Sequence, residues 1–507
     1  MTAVGIDLGT TYSVLAEVDE AGDPVVVGNG IGRLTTPSVV CFEAPGSVLV
    51  GEAAKNAAAV LPDRTVALIK RDMGTDRLLY FDDAEHTPES ISALILKAVT
   101  SSLAGRGGGV QAVVTVPAYF GVREREATQE AGLLAGLEVL ELVSEPVAAA
   151  IHYGLTGAGE DATVLVYDLG GGTFDATIMR TGRHAEVVAT DGDTELGGAD
   201  WDRRLADHLL HRFAELTGSA EAADDEAFVT GLALTAEQVK KDLSTATTRV
   251  VPLRLDGAVA SVRVDRDEFE EITGDLVART IDCVRRLLAG AAAKGADRID
   301  QVLLVGGSSR MPMIAETLRG ALGCPVRLHD PDFAVAKGAS LRAAQLTGRS
   351  PAGRSVPTAS VVSRGFGLLL HDSHGDPSGR GRLVQHVIHR NEALPVDGHE
   401  LTVATVLDGQ QSVRIEVYEQ AGSIESPAPE DNRRVLEGEL TGLPPKLKAG
   451  SPITVRFGLG RDGRLTISAV EPRSKARLTI EACIDGVPDG AGRVRLGEIV
   501  NALALRQ

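Results

Sequence analysis

The sequence predicts an α/β architecture followed by an all-β one: a two-lobed domain over residues 1–345, then a smaller β-sandwich over residues 364–485. Three observations carry this. Strand-like and helix-like patterns alternate through the first two thirds of the chain, a glycine-rich hairpin occurs there twice, and after a Gly-, Pro- and Ser-rich break the apolar residues fall at every second position.

The hairpin opens the chain. Val4-Gly5-Ile6-Asp7-Leu8-Gly9-Thr10-Thr11 returns as Val166-Tyr167-Asp168-Leu169-Gly170-Gly171-Gly172-Thr173. Each copy is an apolar strand ending in Asp-Leu-Gly, a Gly/Thr turn, and a second strand, Ser13–Val18 or Phe174–Met179. A duplicated hairpin predicts two similar lobes facing one another. Between the copies, Val110–Val116 reads as a strand and Arg123–Leu134 as a helix. After the second copy, Ala199–Phe213 reads as a helix and Gln301–Val305 as a strand. That strand runs into a third turn, Gly306-Gly307-Ser308-Ser309-Arg310-Met311-Pro312, with Pro312 near the first turn of a helix, where proline is tolerated.

Residues 346–363 read as a linker. Beyond it, Leu401–Thr405, Ser412–Glu419, Ile453–Leu459 and Arg464–Val470 alternate as strands. Val413, Ile415 and Val417 share one face, and so do Leu465, Ile467 and Ala469. Asp462–Gly463 between two such runs is a hairpin signal. Residues 486–507 read as a short tail with a helical pattern around Gly497–Arg506.

Composition narrows the function. The chain has 51 basic and 70 acidic residues, a net charge of −19, which argues against nucleic acid as a partner. Aromatics are only 3%, so the cores must be built from Ala, Val, Leu and Ile. Cys41, Cys283, Cys324 and Cys483 form no Cys-x-x-Cys pair, which speaks against a zinc site or disulfide framework and for a reducing compartment. No leader pattern and no run of about 20 apolar residues is present, so a cytoplasmic protein with no membrane partner is expected.

The loops carry the chemistry. A phosphate tail needs backbone N–H groups in a tight turn, and glycine lets the backbone come close. Gly9-Thr10-Thr11 and Gly170-Gly171-Gly172-Thr173 supply such turns with hydroxyls beside them. Asp7, Asp168 and Asp175 stand where strands meet loops, placed to hold a Mg²⁺ that takes one or two carboxylates and keeps several waters. One Asp-Leu-Gly alone is an ordinary hairpin; two matched copies and a third glycine turn are not.

The order of these motifs resembles the DnaK-type chaperones, the seventy-kilodalton heat-shock family within the actin and sugar-kinase ATPase superfamily. The stretches that carry the resemblance are GIDLGTTYS (5–13), ALIKRDMG (67–74), VTVPAYF (114–120), SEPVAAAIHYGL (144–155), VYDLGGGTFD (166–175), GDTELGGADWD (192–202), AEQVKKDLS (236–244), VGGSSRMP (305–312) and PDFAVAKGA (331–339). EGELTGLPP and RDGRLTISA extend it into the β domain.

The resemblance implies an actin-like ATPase domain, a β substrate-binding domain, and ATP or ADP with Mg²⁺ and K⁺ as cofactors. It implies that Gly9, Thr10, Thr11 and Tyr12, with Gly170, Gly171, Gly172 and Thr173, cradle the phosphates. Asp7, Asp168 and Asp175 then organise the cations through water. Lys70 neutralises the transferring phosphoryl group and orients the attacking water, and Glu145 helps position that water beside Thr173 and Asp168. Glu237, Lys240, Lys241 and Ser244 hold ribose and adenine from one lobe; Gly306, Gly307, Ser308, Arg310 and Asp332 close from the other. Pro117 and Arg125 match the family's interdomain switch residues, and equally read as a strand-ending proline and a surface arginine. The implied partners are unfolded or extended polypeptides, a J-domain co-chaperone and a nucleotide exchange factor, with the chain a monomer.

Four departures stand against this background. The segment between Lys70 and PAYF is short for the family. The linker lacks the leucines beside an aspartate. Only about two dozen residues follow the β domain, so no long helical lid is expected and peptide release should be fast. Ser144, Ala199, Phe333 and Lys337 replace other residues within motifs, the last two near the adenosine side. The sequence reading is an ATP-dependent, stress-related folding chaperone; its alternative is an ATP-binding scaffold with one dedicated partner and little coupled turnover. A small-molecule kinase of the same superfamily fits the SEP and PAYF motifs and the β domain poorly.

Overall fold

The computed structural model describes residues 1–154, 162–181, 186–328, 330–349, 361–371, 381–422, 424–460, 463–481 and 490–507. In the first lobe, Glu138–Ser144, Val110–Val116, Thr2–Asp7, Tyr12–Val18 and Pro24–Val27 lie in that order in one sheet. The first three run parallel, and Thr2–Asp7 turns back antiparallel onto Tyr12–Val18. The second lobe repeats the plan. Thr163–Leu169 folds back onto Phe174–Arg180 and pairs in parallel with Gln301–Val305 on its other side. The sequence repeat is therefore a repeat of fold.

Helices cover these sheets. The first lobe carries α1 (Glu52–Ala57), α2 (Pro88–Thr100) and α3 (Val122–Leu134). Thr87 caps α2 reciprocally with Ser90, satisfying N–H groups that the first turn leaves open. Next comes α4 (Glu145–Tyr153). The second lobe is built on α5 (Gly198–Thr217), α6 (Glu226–Leu243), α7 (Arg266–Ala292) and α8 (Pro312–Leu322). Its core gathers Trp201, Phe174, Phe213 and Tyr167 among aliphatic side chains. After α8 comes α9 (Ala334–Leu346). It packs against α4 and Thr2–Asp7 so closely that a Cβ on Gly338 would stand 1.7 Å from the Ala148 carbonyl oxygen, and one on Gly5 2.0 Å from Ser340 N.

The β domain is a sandwich of two four-stranded antiparallel sheets. One has the order Arg382–Ile388, Phe366–His371, Val413–Gln420, Asn432–Leu440; the other, Val396–Ala404, Pro452–Leu459, Leu465–Val470, Arg477–Glu481. Ile415, Val417, Leu465, Ile467 and Ala469, placed on inner faces by their period of two, lie in the shared core. Pro452–Leu459 and Leu465–Val470 pair as a hairpin. Of its expected turn, Gly463 takes the left-handed φ of 82°, while Asp462 lies outside the described residues. Most of the expected linker, residues 350–360, lies outside them as well.

This domain sits on both lobes. Glu419 accepts the Val122 N–H at 3.2 Å. Arg364 donates to the Tyr119 carbonyl at 3.1 Å and lies 3.4 Å from Glu124 and 3.8 Å from Glu419. Arg433 adds an ion pair to Glu124 at 3.2 Å. On the second lobe, Arg390 pairs with Asp191 at 3.0 Å, and Asn391 accepts the Thr190 N–H at 2.9 Å. Arg125 lines a small cavity under the β domain with Leu459 and Gly463, so it is an interface residue rather than a surface one.

Glu419 is fully buried, and burial pushes its carboxyl up to about 7, with Arg364 opposing and Glu124 reinforcing the rise. A carboxyl raised by docking favours docking at low pH. Its contribution is fully present below its ordinary value of 4.5 and is lost as pH rises through about 7. The thermal midpoint should fall between about pH 4.5 and 7 in the native chain, and the fall should flatten in Glu419→Gln. The difference is bounded by about 3 kcal/mol, at about 1.4 kcal/mol per pKa unit.

Residues 486–507 differ from the expected tail. Where described, they are part of the first lobe. Helix α10 (Gly490–Ala502) lies against α2 and α3 and buries Leu496 and Val500. The expected helical run to Arg506 stops earlier, because Ala504–Arg506 becomes a strand parallel to Ser47–Val50, with Ala504 N–H donating to the Gly46 carbonyl at 2.9 Å. Helical spacing is local, whereas this pairing depends on a strand more than four hundred residues away in the chain.

Candidate functional site

The two hairpin turns meet at the floor of a cleft of about 700 Å³ between the lobes. They interdigitate. A Cβ on Gly171 would stand 2.0 Å from Thr11 Oγ1, and one on Gly172 would stand 2.2 Å from Thr10 Cγ2. Glycine is required there for closeness, and the threonine hydroxyls of one loop lie against the backbone of the other. Behind the second loop, Gly198 N–H donates to the Gly170 carbonyl at 2.9 Å and Ala199 N–H to the Gly171 carbonyl at 2.7 Å. Arg71 donates to the Gly172 carbonyl at 2.8 Å and pairs with Asp200 at 2.7 Å. The loop's carbonyls are thus held from behind.

Around the loops stand the charged groups. Lys70, on the short 3-10 turn Ile69–Asp72, donates to Glu145 at 2.5 Å, and its side chain is only 5% exposed. It is therefore no solvated surface lysine. Glu145 is the first residue of α4, held by the Pro146 turn. Asp7 accepts from Thr115 at 3.2 Å, and Asp175 accepts the Ala118 N–H at 3.1 Å. Burial, then Glu145, pushes Asp7 up to about 7, with Lys70 opposing. The same two causes raise Asp168 and Asp175 well above the usual carboxylate range. A concentration of buried acid relieved by one lysine is the donor set a hard cation suits. Among the described residues no three His, Cys, Asp or Glu side chains are grouped so as to cage an ion directly.

Asp7, Gly9, Thr10, Thr11 and Tyr12 line the cleft on one side, and Asp168, Gly170, Gly171 and Thr173 on the other, with Lys70 and Glu145 between. Gly172 and Asp175 stand behind this wall rather than in it. At the open end, Glu237, Lys240, Lys241 and Ser244 face Gly306, Gly307, Ser308, Arg310 and Asp332. Tyr12 donates to Glu237 at 2.8 Å, and Lys241 pairs with Glu237 at 2.6 Å. Burial would raise Glu237, but Lys55 and Lys241 outweigh it and hold the carboxyl at about 2. Lys240 pairs with Asp202 at 2.8 Å and donates to the Gly198 carbonyl, and Arg310 pairs with Asp332. The Ser244 hydroxyl turns back onto the Lys240 carbonyl at 3.3 Å.

Phe333 and Lys337, expected near the adenosine side, do not line the cleft; Lys337 pairs with Asp330 at 2.6 Å. Four partners escaped the sequence reading: Lys55 against Glu237, Asp202 against Lys240, and Arg71 with Asp200 behind the second loop. Arg71 and Asp200 lie inside quoted motifs, so adjacency to Lys70 and Gly198 was their one available signal. Lys55 sits on α1 with no motif around it.

Two matched glycine hairpins face one another across a cleft, and a β-sandwich follows them; this defines an actin-like nucleotide-binding protein with an appended substrate-binding domain. Comparison with known proteins gives the family. The Hsp70 protein family model matches residues 3–83 and 77–487. The chain is 40% identical over 478 residues to the chaperone protein DnaK of Thermotoga petrophila, covering 92% of this chain and 78% of that one. The DnaK of Thermotoga neapolitana matches with the same identity and coverage. The DnaK of Thermosipho africanus is 38% identical over 477 residues, 92% of this chain and 77% of its own. The chain belongs to the Hsp70 family. No helix among the described residues is long and apolar enough to cross a membrane.

Proposed function

We propose that this protein hydrolyses ATP to ADP and phosphate in the interlobe cleft and uses the nucleotide state to hold and release extended polypeptide segments on its β domain. The observation that carries the reading is the set of buried carboxylates, Asp7, Asp168, Asp175 and Glu145, gathered with Lys70 where two glycine loops meet. Bound Mg²⁺ and K⁺ would supply charge neutralisation on the phosphates. Asp7, Asp168 and Asp175 are the residues we assign to hold them through water.

The chain's own groups do the rest. Gly9, Thr10 and Thr11 and Gly170, Gly171 and Thr173 bind the phosphate tail. Lys70 offsets the charge that develops on the transferred group, and Glu145, bonded to Lys70, orients the attacking water. Positioning and electrostatic stabilisation are the main needs of phosphoryl transfer. Glu237, Lys240, Lys241 and Ser244 bind adenosine from one rim, and Gly306, Gly307, Ser308, Arg310 and Asp332 from the other. Gly172 and Asp175 act from behind, as loop and cation support.

For the peptide, Val406 and Leu407 stand 60% and 66% exposed just beyond the strand Val396–Ala404, apolar side chains outside the sandwich core. We assign them to contact with apolar peptide side chains, while a strand edge supplies main-chain hydrogen bonds. J-domain and exchange-factor co-chaperones and a cytoplasmic location belong to the same proposal. The test is single-turnover hydrolysis of ATP with and without an unfolded polypeptide, and with Val406→Asp. Turnover that speeds with polypeptide in the native chain and loses that response in Val406→Asp is expected. Turnover indifferent to every polypeptide leaves the one-partner scaffold instead.

A further inference from the structure

Gly490–Gln507 follow the β domain in sequence but belong to the first lobe in space. Val500 is 1% exposed and Leu496 7%, both in the cluster that contains Leu134, Val48 and Leu94. Ala504, Leu505 and Arg506 pair with Ser47, Val48 and Leu49, closing an edge whose N–H and C=O groups would otherwise stand open. Lys97 on α2 donates to the Asn501 side chain at 2.6 Å and to the Val500 carbonyl at 3.4 Å. Arg506 lies 3.7 Å from Glu43, and the Gln507 amide donates to the Ala98 carbonyl. Apolar burial, strand pairing and side-chain bonds all anchor the one segment.

The β domain therefore joins the two lobes at both of its ends. It enters after α9, which ends at Leu346, and leaves at Glu481. Between Glu481 and Gly490 stand eight residues. Fully extended, they reach at most about 32 Å.

We propose that Gly490–Gln507 is a second tether, which confines the β domain to a short swing over the lobes and keeps its effective concentration at the docking surface high. A domain held by one flexible linker samples a wide volume; fixing its other end removes most of it. The interface it protects is the one where Glu419 accepts the Val122 N–H. The proposal does not depend on nucleotide turnover.

The test cuts the tether without removing it. Part of residues 482–489 in the full chain is replaced by a protease recognition sequence, and the purified protein is cleaved. The 490–507 fragment should stay with the protein through size-exclusion chromatography. Hydrogen exchange at the Val122 amide should speed at least about tenfold on cleavage, as expected when an intramolecular contact loses its second link. Val500→Asp in the uncut chain should give the same faster exchange; if that variant does not fold, the cleaved chain decides alone. Unchanged exchange after cleavage overturns the proposal. So does loss of the fragment, which would show that it is not anchored, and so does a dimer, which would place the segment on a second copy.

Discussion

Lys70→Ala should lower single-turnover ATP hydrolysis by about 10²–10³-fold, the usual loss when one electrostatic stabiliser of developing charge is removed. ATP affinity should change by less than about tenfold. The phosphate tail is to be held by backbone N–H groups of two loops, and the substitution touches neither. The pair it breaks is buried, with Lys70 donating to Glu145 at 2.5 Å. Losing one partner of a buried pair usually costs about 3–5 kcal/mol. Here the cost should be smaller, because Asp7, Asp168 and Asp175, whose proton affinity burial and Glu145 already raise, can take up protons. Rapid-quench hydrolysis and equilibrium ATP titration, done side by side, check both halves. Equal losses in both would mean that Lys70 serves binding rather than the chemical step.

Gly338→Val should be the most damaging single change outside the cleft. A Cβ there would stand 1.7 Å from the Ala148 carbonyl oxygen, a backbone atom with no rotamer to yield. Overpacking usually costs about 1–3 kcal/mol, and a clash with rigid backbone should fall at or above the top of that range. The damage should also reach the chemistry, because Ala148 is on α4, the helix that begins with Glu145. A fall of several degrees in the first thermal transition is expected, with at least about tenfold weaker ATP binding in the fraction that folds. Gly320→Ala, on the open face of α8 where a Cβ meets nothing within 4 Å, is the control that should lower neither and should at most raise the transition slightly through its better helix propensity.

Much of this architecture was legible in the sequence, for identifiable reasons. The hairpin repeat was visible because both copies end an apolar strand in Asp-Leu-Gly, at Asp7–Gly9 and Asp168–Gly170. Val110–Val116 and Gln301–Val305 fall on their expected bounds because buried parallel strands read as unbroken apolar runs. The helix expected over Ala199–Phe213 runs from Gly198 to Thr217, since the apolar Leu216 of its last turn faces solvent rather than the core. What stayed hidden is what depends on distance along the chain. Lys55 meets Glu237 across 182 positions, and the segment 490–507 meets the first lobe across still more. No local pattern encodes such a meeting.

The interdigitated loops carry a further consequence. Neither hairpin forms a complete seat by itself: Thr10 and Thr11 of one lobe lie against the backbone of Gly171 and Gly172 of the other. A ligand that ends in a single phosphate can engage only part of this seam. A longer polyphosphate can span it and draw the halves together. Under the proposed function the cleft would gauge the length of its ligand's phosphate tail.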